Sequence, residues 1–216
     1  MKESEDFLDA LIRGDRRSAN QLVDRMLDRG ARLRDLYLDV MEPAMHEIGR
    51  RWEQNSVSVA EEHLATAITQ AAMGRAFERV YRWHDSRSPS LIAACADEER
   101  HQIGLRMLCD LLELEGWDTT YLGASVPTES LVEMVRKRRP GVVALSTAIA
   151  PNLPRVRSAI AAIRQSGVTP MPLIVIGGRA VAGDGGLAMR LGADLTATTA
   201  ADAVGALTAR LADTAQ

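Results

Sequence analysis

Apolar residues recur at helical spacing through the first 82 positions and fall into short, strand-like runs after them. Phe7, Leu8, Leu11 and Ile12 make one short amphipathic face, broken at Gly14 and Asp15. Leu22, Val23, Met26 and Leu27 make a second, ended near Gly30. A longer face carries Leu33, Leu36, Tyr37, Val40, Met41, Ala44, Met45 and Ile48, with Pro43 placed to kink it and Gly49 near its end. Ser58 followed by Glu61 and Glu62 is a helix-capping pattern, and it opens a helix with Leu64, Ala67, Ile68, Ala71 and Ala72 on one face. Four helices with short joints predict a bundle.

The polar stretch 82–90, with Pro89 near its end, reads as a linker, so the expected domains are 1–82 and 89–216. Beyond it, apolar runs at 91–94, 121–122, 142–145 and 173–176 predict strands. Helical patterns at 101–114, 128–138 and 153–165 separate them, and a last helix is expected at 201–211. This alternation predicts a parallel sheet with helices on both faces, flavodoxin-like or Rossmann-like and five-stranded. The fold class is therefore α/β with an all-α N-terminal domain. Ligands of such sheets sit beyond the carboxyl ends of the strands, which groups the loops 96–104, 146–151 and 177–186 at one rim.

Composition narrows the partners. The 216 residues are 46% hydrophobic and 25% charged, with a net charge of -3 and a pI near 5.9. That balance argues against nucleic acid as the main partner, because neutralising phosphates needs a basic surface. The four basic residues at 136–139 fall at a helix end, where positive charge is favoured in any case. Cys95 and Cys109 are too few for a disulfide framework and lack metal-ligand spacing, so both are expected as buried small hydrophobes. No basic-then-apolar leader and no run of about 18 apolar residues is present, so a cytoplasmic location is expected.

The loop after the first strand reads Asp97-Glu98-Glu99-Arg100-His101-Gln102-Ile103-Gly104. An imidazole there is either a solvated residue at a helix start or a metal ligand whose second ring nitrogen is braced by Glu99. Glu99-x-His101-x-x-Gly104 resembles the Asp-x-His-x-x-Gly signature of the cobalamin-binding domain family, with Glu99 in place of the commoner Asp. The segment from Gly104 to Gly123, Val126-Pro127 and the pair Gly177-Gly178 are similar to that family too. Ser146-Thr147-Ala148 matches its middle element in part. The resemblance implies that His101 binds cobalt from below, with Glu99 behind it. It makes Arg100, Gln102, Ile103 and Gly104 part of the cofactor loop. Ser146, Thr147, Gly177 and Gly178 then line a slot for the displaced nucleotide tail.

Trp52 alone is read either as core or as ligand cover. Trp52-x9-Glu62-His63 closely resembles the motif of the helical cap in B12-dependent photoreceptors, some of which are transcriptional repressors. In that family the Trp covers the upper ligand of cobalamin and the Glu and His help form its cavity. The resemblance implies a light sensor, not an enzyme, in which loss of the upper ligand shifts the cap. Adenosylcobalamin is the expected cofactor, with methylcobalamin or another corrinoid as the alternative. The rival is a corrinoid protein that shuttles methyl groups between methyltransferases. The chain departs from the repressors in two ways. Its bundle begins close to Met1, so no direct DNA binding is expected and the partner is a second copy or a signalling protein. Glu53 stands where such photoreceptors often carry a His that captures cobalt after photolysis, a role His46, His63 or water would have to take.

Overall fold

The structure, a computed structural model, describes residues 2–82, 89–184 and 186–214. The chain divides into two compact units, Met1–Arg82 and Trp83–Gln216. Most of the stretch read as a linker, 83–88, lies outside the described residues.

The first unit is helical: α1 (Lys2–Ile12), α2 (Arg16–Asp28), α3 (Leu33–Leu36), a π turn (Tyr37–Met41), α4 (Glu42–Glu53) and α5 (Val59–Val80). α3, the π turn and α4 run on without a break, because Leu36, Tyr37, Met41 and Glu42 all keep right-handed helical angles. The expected kink at Pro43 is replaced by this wide turn. Pro43 has no N–H to give, and its ring crowds the carbonyl of Asp39. The helix opens one residue earlier, where Glu42 N–H donates to Tyr37 O.

Ser58 caps α5 as its sequence predicts. Its Oγ accepts the Glu61 N–H, and the Glu61 carboxylate accepts the Ser58 N–H at 2.7 Å. The buried face of α5 matches the expected one only at Ile68 and Ala72. Ala65, Ile68, Thr69, Ala72, Met73 and Ala76 face the core, while Leu64, Ala67 and Ala71 are exposed. Small apolar residues occur all round this helix, so spacing alone could not choose its inner face. The Tyr37 hydroxyl donates to Met73 O inside the bundle, and Arg75 and Arg79 tie α5 to Asp24 and Asp28 of α2.

The second unit holds β1 (Ser90–Ala96), α6 (Ile103–Leu114), β2 (Asp118–Val126), α7 (Thr128–Arg138), β3 (Val142–Ser146), α8 (Leu153–Arg164), β4 (Leu173–Gly177), α9 (Leu187–Leu191), β5 (Leu195–Ala197) and α10 (Ala200–Thr214). The five strands are parallel in the order β2-β1-β3-β4-β5. α7 and α8 pack together on one face over Ile92, Val143, Leu145 and Ile174, while α6 packs with α10. Cys95 and Cys109 are both buried and free, as expected. This is the flavodoxin-like strand order, in which the chain reverses direction between β1 and β3. The loops leaving those two strands therefore part to opposite faces and open a crevice at their carboxyl ends.

Candidate functional site

The Glu99 side chain is 0% exposed, while that of His101, two residues on, is 40% exposed. The loop after β1 turns a carboxylate inward and an imidazole outward. Glu99 Oε1 accepts both the His101 backbone N–H at 2.9 Å and the His101 ring at Nδ1, 2.5 Å away. Oε2 accepts three further bonds from the loop after β3: Thr147 Oγ1 at 3.0 Å, Ala148 N–H at 2.9 Å and Asn152 Nδ2 at 3.0 Å. Burial alone would push this carboxyl up. The bonds from His101, Asn152 and Ala148 outweigh it and hold Glu99 well below the usual carboxylate range.

That ionisation fixes the imidazole. An ionised carboxylate only accepts, so Nδ1 carries a proton, and in the neutral ring Nε2 is then the nitrogen with the lone pair. A carboxylate behind the ring also raises the basicity of the far nitrogen. The same two loops supply both halves of the unit because β1 and β3 are neighbours.

Helix α6 begins at Ile103, two residues later than expected. His101 and Gln102 stay outside it because Glu99 holds the His101 N–H and ring. Gln102 is fixed from β2, where the Tyr121 hydroxyl donates to its Oε1 at 2.8 Å. Arg100 is exposed, Ile103 is half-buried, and Gly104 faces open space. Cys95 lies under the loop and its thiol donates to His101 O. Burial first, and the Glu99 charge second, push that thiol up to about 12.

Ser146 ends β3, paired with Cys95 of β1 and Gly177 of β4. Gly178 has φ +97°, and a Cβ there would stand 2.2 Å from Thr147 O. A Cβ at Gly177 would stand 3.1 Å from Ala197 O. Both glycines thus let the β4 loop pass closely over its neighbours, and Thr147 N–H donates to Gly177 O across that approach.

In the helical unit Trp52 lies in the last turn of α4 with 37% of its surface exposed, so it is not a core residue. Glu62 and His63 are paired, Nδ1 to Oε2 at 2.7 Å, and Glu62 also accepts the Thr66 hydroxyl.

Reading the sequence missed Asn152. An Asn just ahead of Pro154 signals a helix N-cap, and Asn152 does occupy that position on α8. Its side chain makes no cap bond and reaches back to Glu99 instead.

A family model described as a B12 binding domain matches residues 89–208, and a second of the same description matches residues 3–76. The chain belongs to the B12-binding domain family. Within this family it is similar to two kinds of protein. It is 30% identical over 142 residues to the HTH-type transcriptional repressor CarH of Myxococcus xanthus, covering 66% of this chain and 46% of the repressor. It is 23% identical over 202 residues to trimethylamine corrinoid protein 1 of Methanosarcina acetivorans, covering 91% of each. The chain spans about half the length of the curated repressors it matches, at 46% and 42%. The solved monomethylamine corrinoid protein of Methanosarcina barkeri superposes with a TM-score of 0.81 over 95% of this chain and 97% of that one. At 17% identity, that likeness speaks for the B12-binding fold alone. Among the described residues, no helix of this B12-binding chain is long and apolar enough to cross a membrane.

Proposed function

We propose that the chain binds cobalamin through His101 and serves as a corrinoid carrier, presenting the cofactor to partner methyltransferases. The observation that carries the binding half is the buried Glu99 carboxylate, which orients the imidazole by its Nδ1, so that Nε2 is the ring nitrogen that would meet cobalt. The donor set suits the group. His101, braced by the Glu99 carboxylate, would hold the cobalt of a corrinoid, and such a brace is what a metal-binding imidazole needs. Ser146, Thr147, Gly177 and Gly178 are the residues assigned to the nucleotide tail. When bound, the corrinoid supplies a cobalt centre that takes up and releases a methyl group. The chain's own residues bind it, orient it and set the basicity of its lower ligand. The carrier half draws on the likeness to corrinoid proteins over nearly the whole of both chains.

A second reading, the light sensor, is favoured by Trp52 and the Glu62–His63 pair. In it these residues meet the upper ligand of adenosylcobalamin. The likeness to the repressor CarH supports this reading, and Glu53 beside Trp52 counts against a histidine-captured light state.

Reconstitution with hydroxocobalamin and with adenosylcobalamin tests both. Wild-type chain should retain either cofactor on a desalting column, and His101→Ala should lose the axial-ligand signature in the cobalt absorption. An unchanged spectrum in that variant removes His101 as ligand. For a carrier, reduced cofactor on the chain accepts a methyl group from a methyl donor, and green light leaves the elution volume unchanged. A light-dependent shift in elution with adenosylcobalamin would favour the sensor.

A further inference from the structure

The loop that carries His101 contains a backbone conformation its sequence does not favour. Glu98 has φ +63°, in the left-handed region, although it is not glycine. This angle lets the loop alternate. Glu98 points outward with 64% of its side chain exposed, and Glu99 turns fully inward. What holds Glu98 there comes from β2. Ser125 is itself left-handed, at φ +50°. Its N–H donates to Glu99 O at 2.8 Å, and its Oγ accepts the Glu98 N–H at 3.0 Å. One residue thus brackets the Glu98–Glu99 peptide from both sides, 27 positions along the chain from Glu98. Asp97 Oδ1 shares the Glu98 N–H at 3.0 Å and lies 3.5 Å from the Ser125 hydroxyl. The β1–β2 pairing shifts register between Ala94 and Ala96, just where Ser125 leaves the ladder. On the other side Arg155 of α8 pairs with the Glu98 carboxylate.

We propose that Ser125 is a positioning residue for His101, acting through the Glu98–Glu99 backbone. It touches neither the imidazole nor the cofactor. Its hydroxyl and N–H hold the left-handed turn that aims Glu99 inward, and Glu99 in turn holds the ring. The proposal rests on the reading of His101 as cobalt ligand, and its test separates the two.

The probe is cob(II)alamin bound to chain whose histidines carry heavy nitrogen. Electron paramagnetic resonance of the cobalt then reports which nitrogen sits beneath it. In wild type the hyperfine pattern should follow the label, and in His101→Ala it should not. A wild-type pattern indifferent to the label would sink the ligand reading, whatever Ser125 does. In Ser125→Ala the ratio of histidine-ligated to unligated cobalt should fall about fivefold, the effect of one lost hydrogen bond. Ser125→Asn should restore most of it, since Asn tolerates the left-handed region and offers an acceptor. Should Ser125→Ala fail to fold, Ser125→Gly carries the same expectation, because it adopts the angle freely and lacks the hydroxyl. A wild-type ratio in whichever of these hydroxyl-less variants folds, with wild-type thermal stability, would overturn the proposal.

Discussion

Asn152 Nδ2 donates to Glu99 Oε2 at 3.0 Å, joining the start of α8 to a carboxylate 53 residues earlier in the chain. A buried charge depends on each of its donors. Asn152→Leu keeps most of the volume and removes one of them. It should destabilise the chain by about 2 kcal/mol, the usual effect of losing a bond to a charged group. Urea unfolding without cofactor measures this, and a change within error would show that Thr147 and Ala148 suffice.

Gly178 passes so close to Thr147 that no side chain fits. Gly178→Ala would set a methyl group 2.2 Å from a backbone oxygen at φ +97°. Backbone atoms cannot step aside as a flexible side chain does. The variant should lose about 3 kcal/mol or more and bind hydroxocobalamin more weakly. Retention of wild-type stability and affinity would mean that the β4 loop has another path.

Asp24 gives the helical unit an acid-sensitive clamp. The Arg75 guanidinium bonded to it holds its carboxyl below the ordinary value of 3.8, against the opposing effect of burial. A lowered folded-state value stabilises above the unfolded one, and the benefit is lost as pH falls through the folded value. Asp24→Asn should therefore lower stability at neutral pH by no more than about 1 kcal/mol, since the cluster is partly exposed. The difference from wild type should close as the pH drops below about 4, and it should shrink in high salt. A gap that persists in acid would point to packing instead.

Trp52 separates the two functional readings. Its partly exposed position predicts that Trp52→Ala costs about 2 kcal/mol in unfolding, less than a fully buried indole would. If the side chain meets the upper ligand, the same variant should change the photolysis rate of bound adenosylcobalamin. Identical rates in the two proteins would remove Trp52 from that role.

Much of the fold could be read from the sequence because its signals are local. Caps, breaks and apolar runs located the bundle and four strands of the sheet. The three-residue β5 and the short α9 were not located, since too few residues repeat to mark a period. The inner face of α5 was only partly placed because alanines lie all round it. At the site, Glu99 and His101 stand two residues apart and are legible as a pair. Their supports are not. Thr147 and Asn152 meet Glu99 only once β3 lies beside β1. Ser125 carries no turn signal of its own, and its left-handed angle appears only with the tertiary contact that holds it.

The π turn at Tyr37–Met41 has a consequence for Trp52, which lies beyond it on the same continuous helical run. A π turn spends one residue more than an α turn on each circuit of the axis. Deleting a single residue there would restore regular winding and leave the later side chains near their present azimuth, whereas closing the turn with every residue kept would swing them by roughly 100°. The compass bearing of the indole is thus set well upstream, at a proline that could not give a hydrogen.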